Sequence, residues 1–147
     1  MYLLDTNVVS RLAPARRRAD LDEGLAEWAA ANSSDLFLSV VTAAEIEDGI
    51  AKARRTGASR KADMLADWWS EILHYWGARI LPLDLPTACE TGRLLDRARS
   101  AGIDPGFEDV AIAATANVRS LTVLTFNEKD FRPLGVSFLN PFALVSL

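Results

Sequence analysis

The sequence predicts an α/β fold, a sandwich of helices around a central, mainly parallel sheet of five strands. Three observations predict it. Short apolar runs alternate with helix-periodic segments almost throughout, the pattern of strands joined by helical crossovers. The 147 residues are half hydrophobic, which is one ordinary domain with a sizeable core and no need of a staple. Pro and Gly fall singly between elements, with no internal repeat and no low-complexity linker to divide the chain.

Tyr2–Leu4 is an apolar run long enough for a buried strand, with Thr6 or Asn7 placed to cap a short helix after it. Asp20–Asn32 reads as a helix with Leu21, Leu25 and Trp28 on one side. Leu36–Val41, apolar and β-branched towards its end, is the second strand. Thr42 stands three residues before Glu45, a capping-box spacing that starts a helix running to about Arg55, with Gly57 to end it. Ser59–Trp76 is a longer helix, because Met64, Leu65, Trp68, Trp69, Ile72, Leu73 and Trp76 recur at spacings of three and four. Arg79–Leu83 is a third strand, short or at an edge because of Pro82. Thr87–Ala101 is a helix closed by Gly102, and Phe107–Val118 is an alanine-rich apolar helix. Leu121–Thr125 and Val136–Leu139 complete the strands.

Composition excludes several classes of function. The net charge of −4 does not suit a generic nucleic-acid binder, so any phosphate contact must come from a local basic strip. Two strips qualify: Arg11 with Arg16, Arg17 and Arg18, and Arg54, Arg55, Arg60 and Lys61. Each reads otherwise as a solvated loop or helix end. The single cysteine, Cys89, excludes an intramolecular disulfide and is expected to be a small buried hydrophobe. No cationic segment precedes an apolar stretch at MYLLDTN, and no run reaches the ~18 apolar residues of a membrane span, so a cytoplasmic protein is expected. His74 is the only histidine, in a tryptophan-rich helix, which leaves little material for histidine general acid–base chemistry. Neither a Gly-rich phosphate loop nor a Cys/His cluster of zinc spacing is present.

What remains is acidic. Asp5, Glu45, Asp109 and Asp130 each stand at the start or end of an apolar segment, where a carboxylate is costly unless something satisfies it. Asp5 follows the first strand, Glu45 the second and Asp130 the fourth, at the strand ends where open α/β sheets bind ligands; Asp109 begins the helix leading into strand four. Brought together, they would repel. Two unit charges ~4 Å apart cost roughly 4 kcal/mol at an effective dielectric near 20, and protons or a divalent cation must relieve that.

The stretches that hold these acids carry a resemblance. LLDTNVVS, LSVVTAAEIEDGI, EDVAIAATA, LTFNEKDF and LGVSFLNPF, in this order, resemble a PIN-domain nuclease of the VapC toxin type, including the FitB-like branch, over nearly the whole chain. The resemblance implies a single PIN domain over 1–147 with a PIN-like α/β/α sandwich. It implies a cytoplasmic, divalent-metal-dependent endoribonuclease that hydrolyses RNA phosphodiester bonds, a homodimer held inactive by a cognate antitoxin. By position it assigns Asp5, Glu45 and Asp109 as the main ligands of Mg²⁺ or Mn²⁺, Asp130 as a ligand directly or through water, and Thr6, Asn7 and Asn127 as supporting polar residues. Such hard cations prefer oxygen ligands, and a bound cation supplies both an activated water and charge neutralisation at a phosphodiester. Thr125-Phe126-Asn127 departs from the family's common Thr-Arg-Asn, so a basic residue near the edge of the site is missing. Glu47, Asp48 and Glu108 are expected in solvent, although Glu108 could substitute for a ligand.

Adjacent Trp68 and Trp69 cannot both face inward on one helix, so either one is only partly covered or an interface with a second copy takes it. Two further readings compete with the nuclease. A haloacid-dehalogenase-like phosphatase would carry a second aspartate where Asn7 stands. A catalytically weak PIN-like binding module would retain the acids only for its fold and for gripping a basic antitoxin peptide.

Overall fold

The computed structural model describes residues 1–14 and 20–145. Arg16, Arg17 and Arg18 of the first basic strip, and the Leu21 side chain expected on the inward helix face, lie outside the described residues. Strands β1 (Tyr2–Leu4), β2 (Leu36–Ser39), β3 (Ile80–Leu81), β4 (Thr122–Leu124) and β5 (Phe138–Leu139) form one sheet in the order β3-β2-β1-β4-β5. Every pairing is parallel, with Tyr2 opposite Leu36 and Leu3 opposite Val123. The chain steps outward from β1 to β2 and β3, then returns to place β4 on the other side of β1. The carboxyl ends of β1 and β4 therefore flank the point where strand order reverses, the usual ligand crevice of such sheets.

Helices α1 (Thr6–Leu12), α2 (Asp20–Ala31), α3 (Val40–Arg55), α4 (Ser59–Trp76), α5 (Leu85–Ser100), α6 (Phe107–Val118) and α7 (Glu128–Phe131) join the strands. Neighbouring strand residues point to opposite faces, and the core divides accordingly. Leu3 and Val123 pack with Leu94, Ile112, Phe131 and Leu134 in one cluster. Leu4 and Leu124 pack with Val8, Leu36, Ile50 and Trp69 in the other. Helices thus cover both faces, and the sandwich expected from the sequence is present. Residues Val110–Ala116 of α6 are all buried, and their small side chains let the helix lie close against the sheet.

Several helix starts differ from the expectation. The cap of α1 is Asp5 itself, not Thr6 or Asn7: its Oδ1 accepts the Thr6 N–H at 2.7 Å, and its carbonyl accepts from Val8 and Val9. Helix α3 begins two residues before Thr42 because the Ser39 hydroxyl accepts the Val41 N–H at 3.1 Å. Thr42 is then a buried residue within the helix, and Glu45 is not closing a capping box on it. Asp84 caps α5 through the Thr87 N–H at 3.1 Å, which starts that helix at Leu85 and puts Pro86 in its first turn, where no hydrogen bond is lost. Gly57 and Gly102 have φ of 84° and 78°, the left-handed conformation that ends α3 and α5. The third strand stops before Pro82 and lies at the edge of the sheet, as expected.

Cys89 is exposed, contrary to the expected burial. The inward stripe of α5 is Thr87, Thr91, Leu94 and Ala98, and Cys89, two residues beyond Thr87, falls on the opposite side. Trp69 is buried and Trp68 half-buried, as adjacent helix positions require. His74 is exposed, its ring edge-on to Tyr75.

Candidate active site

Four chain segments meet at the carboxyl ends of β1 and β4. Asp5, directly after β1, is 3% exposed. Its backbone N–H donates to the Leu124 carbonyl at 2.9 Å, which ties the end of β1 to the end of β4. Its carboxylate accepts from the Thr6 N–H, from Asn7 Nδ2 and from the Thr125 hydroxyl, each at 2.7 Å. These donors favour the ionised form, but burial outweighs them and, with the nearby Glu45 charge, raises the Asp5 carboxyl above its ordinary value.

Thr125 is the connector that the sequence reading missed. Fully buried, it donates to Asp5 Oδ2 and accepts from the Asn127 N–H at 2.9 Å and from Asn7 Nδ2 at 3.2 Å. Asn7 Oδ1 in turn accepts the Phe126 N–H at 3.3 Å. One hydroxyl and one amide thereby stitch the loop after β4 to the start of α1. The only signal in the sequence was a hydroxyl residue closing an apolar strand.

Glu45 lies on α3 and accepts from the Thr6 hydroxyl, whose oxygen also lies 3.1 Å from Thr42 Oγ1, within hydrogen-bond distance. Thr42, read from the sequence as a cap, is therefore part of the site's polar lattice. Asp130, in α7, accepts from Asn127 Nδ2. Among the described residues no hydrogen bond or ion pair reaches the carboxylate of Asp109, in the first turn of α6. Its carboxyl is raised to about 6, first by burial and then by the fields of Asp5, Asp130, Glu45 and Glu108. The fold therefore brings all four acids into one electrostatic neighbourhood. Thr6, Asn7 and Asn127 each hold one of them by a hydrogen bond. Glu47, Asp48 and Glu108 are exposed.

The donor set is all oxygen and suits a hard divalent cation. Among the described residues no three His, Cys, Asp or Glu side chains stand close enough to hold one ion as placed. From Glu45 a cleft of about 460 Å³ opens between α1, α3 and α4, its wall carrying Ser10, Gly49, Lys52, Lys61 and Trp68. Arg54, Arg55 and Arg60 of the second basic strip are exposed, and Arg54 lies 3.6 Å from Asp63 in solvent. Phe126 packs its ring 5.0 Å from that of Phe142, and the Arg11 guanidinium lies 5.0 Å from the Phe126 ring centre.

The family model described as PIN domain matches residues 2–135. The chain belongs to the PIN domain family. It is similar to VapC ribonuclease Y4jK of Sinorhizobium fredii, 31% identical with 97% of this chain and 98% of that protein covered. It is similar also to Toxin FitB of Neisseria gonorrhoeae, 33% identical with 97% and 99% covered. Among solved structures, the crystal structure of FitAcB from Neisseria gonorrhoeae superimposes with a TM-score of 0.80, 34% identity, and 97% of this chain and 99% of that one covered. This PIN domain is thus of the VapC/FitB type, and the all-parallel five-stranded sheet is the fold it shares with these relatives. No helix among the described residues is long and apolar enough to cross a membrane.

Proposed function

We propose that the protein is a divalent-metal-dependent endoribonuclease, the toxin of a toxin–antitoxin pair, hydrolysing RNA phosphodiester bonds. The observation that carries this reading is electrostatic: burial and the fields of Asp5, Asp130, Glu45 and Glu108 raise the Asp109 carboxyl to about 6, so the four candidate ligands lie within one another's fields beside the strand-order reversal of the sheet. Such a concentration of negative charge is stable at neutral pH when a cation fills it. The VapC ribonuclease and FitB toxin relatives support the RNA substrate and the toxin role.

Asp5, Glu45 and Asp109 would hold Mg²⁺ or Mn²⁺, with Asp130 a ligand directly or through water. When bound, the cation supplies acidification of the attacking water and neutralisation of the phosphate's developing charge. The residues of the chain do the remaining work. Thr125, Asn7 and the Thr6 N–H fix Asp5 so that its carboxylate needs no reorganisation on binding. The Thr6 hydroxyl orients Glu45, and Asn127 orients Asp130. A cognate antitoxin and a second copy of the chain complete the assembly proposed. The half-buried Trp68 and the exposed Met64 and Leu73 of α4 offer apolar surface for it.

Cleavage of end-labelled RNA by wild type and Asp5→Asn, with Mg²⁺, Mn²⁺ or EDTA, tests the reading. Cleavage by wild type with metal alone is expected. Metal-independent cleavage, or full activity of the variant, would end it. An RNA-inert wild type would favour a binding module.

A further inference from the structure

We propose that Arg11 is the residue that takes a phosphate of the RNA substrate at the rim of the carboxylate cup; this rests on the ribonuclease reading above. Asn7 and Arg11 are one helical turn apart on α1 and share a face of it. Asn7 is bound into the cup through Asp5 and Thr125. Arg11 therefore stands directly beyond the cup on the same side of the helix.

Its guanidinium is held from two directions. Nε donates to Asp22 Oδ1 at 2.6 Å, and the Asp22 side chain is 1% exposed. The guanidinium carbon lies 5.0 Å from the Phe126 ring centre and 5.4 Å from that of Phe142. Phe126 is the residue between Thr125 and Asn127, both part of the site lattice, and its own N–H donates to Asn7. Despite these holds, the Arg11 side chain remains 42% exposed. Among the described residues no acceptor takes a hydrogen bond from its two terminal nitrogens.

A guanidinium offers a planar fork of donors that matches two oxygens of a phosphate. Here Asp22 occupies Nε and the rings restrict the plane, so the fork is oriented before anything binds and little rotamer freedom remains to be lost. The need for it follows from the charge of the site. A strand of phosphates approaching four carboxylates is repelled, and a cation fixed at the edge offsets that repulsion where the strand enters. A purely structural clamp between α1 and α2 would account for the Asp22 contact, but it leaves the half-exposed fork unused. Arg54, by contrast, meets an exposed aspartate in solvent and, among the described residues, has no aromatic seat.

The test uses the full chain and a labelled single-stranded RNA. Wild type, Arg11→Lys, and Arg11→Gln combined with Asp22→Asn are compared; the second change in the last removes the buried negative charge that Arg11 Nε meets. Steady-state kcat and KM are measured with Mn²⁺ over a range of salt, and affinity for the same RNA is measured in EDTA. The double variant is expected to raise KM roughly tenfold with kcat within about twofold, and to flatten the slope of log affinity against log salt by about 0.7, the signature of one lost phosphate contact on a single strand. Arg11→Lys should keep most of the slope and recover part of the KM, since it restores the charge without the fork. An unchanged slope and KM in a double variant with lowered thermal stability would overturn the proposal and leave Arg11 as a clamp. A wild type that binds RNA with the Arg11-dependent slope but does not cleave it would overturn the ribonuclease reading and leave the contact standing. A wild type that does not bind RNA overturns both.

Discussion

Replacing Asp109 by Asn should stabilise the metal-free protein at neutral pH, by an amount that disappears in acid. The Asp109 carboxyl rises from 3.8 to about 6 in the folded chain, through burial and the fields of Asp5, Asp130, Glu45 and Glu108. An acid whose folded value is raised favours folding while protonated. That contribution is complete below about pH 3.8 and is lost as pH climbs through about 6. At ~1.36 kcal/mol for each tenfold change in proton affinity, the full rise corresponds to about 3 kcal/mol. Asp109 is part-exposed, and solvent screening brings the expected effect to about 1–1.5 kcal/mol. Asparagine has nearly the same shape and cannot ionise, so the variant keeps what the wild type loses. For a chain of this size the gain is a melting temperature higher by about 2–6 °C at pH 7.5. Melting curves followed by circular dichroism in EDTA, from pH 4 to pH 8, measure it. The two proteins should agree near pH 4, diverge between pH 4 and 6, and run parallel above. A gap independent of pH, or a variant that melts lower than wild type at pH 7.5, would refute the charge-repulsion account of the site.

Millimolar Mg²⁺ or Mn²⁺ should raise the melting temperature of wild type at pH 7.5 and leave Asp109→Asn nearly unmoved, because binding to the folded state alone stabilises by mass action; a calorimetric melt with and without EDTA reads this. Thr125→Val keeps the shape but removes a donor to Asp5 and an acceptor for Asn127 N–H in a fully buried position, at a cost of ~1–3 kcal/mol, seen as a lower urea midpoint. The same change should push the Asp5 carboxyl higher still, since the Thr125 hydroxyl is the largest influence holding it down. Trp69→Ala empties a site 2% exposed beneath α4 and should cost ~3–5 kcal/mol, whereas truncation of exposed Tyr75 should change the unfolding midpoint little.

The acids were legible because each interrupts an apolar run, and a charge at a strand end has few structural reasons to be there. The parallel sense of the sheet could also be anticipated, since strands separated by helices cross over and pair in parallel, but their order in the sheet could not. What holds the acids was less visible. Thr42 and Glu45 have the spacing of a capping box, yet Ser39 caps α3 and Glu45 turns to Thr6, a partner 39 residues away. A local motif lost to a tertiary contact. Thr125 looks like any hydroxyl at a strand end, and only the pairing of β1 with β4 makes it the partner of Asp5. Cys89 was misplaced for a simpler reason: its helix is inward-facing through a stripe of threonines and aliphatics that ordinary hydrophobicity does not mark. The seat of Arg11 depends on Phe126 and Phe142, residues at the far end of the chain.

On the metal-dependent reading proposed above, the distribution of hydrogen bonds among the acids has a consequence for how the site would take a cation. Asp5 arrives with three donors on its two oxygens, Glu45 and Asp130 with one each, and Asp109 with none among the described residues. Donors from the protein reduce the charge that a cation must balance at Asp5 and fix where it sits. Asp109 has only a proton or a cation to relieve it. Below about pH 6 the proton does so, and the carboxyl is then a poor ligand. Metal affinity should therefore fall as pH drops through about 6, one proton displaced per ion at this residue, while the hydrogen-bonded lattice around Asp5 stays in place. Asp109 would in this sense be the residue through which acidity and the proposed divalent cation compete for the same cup.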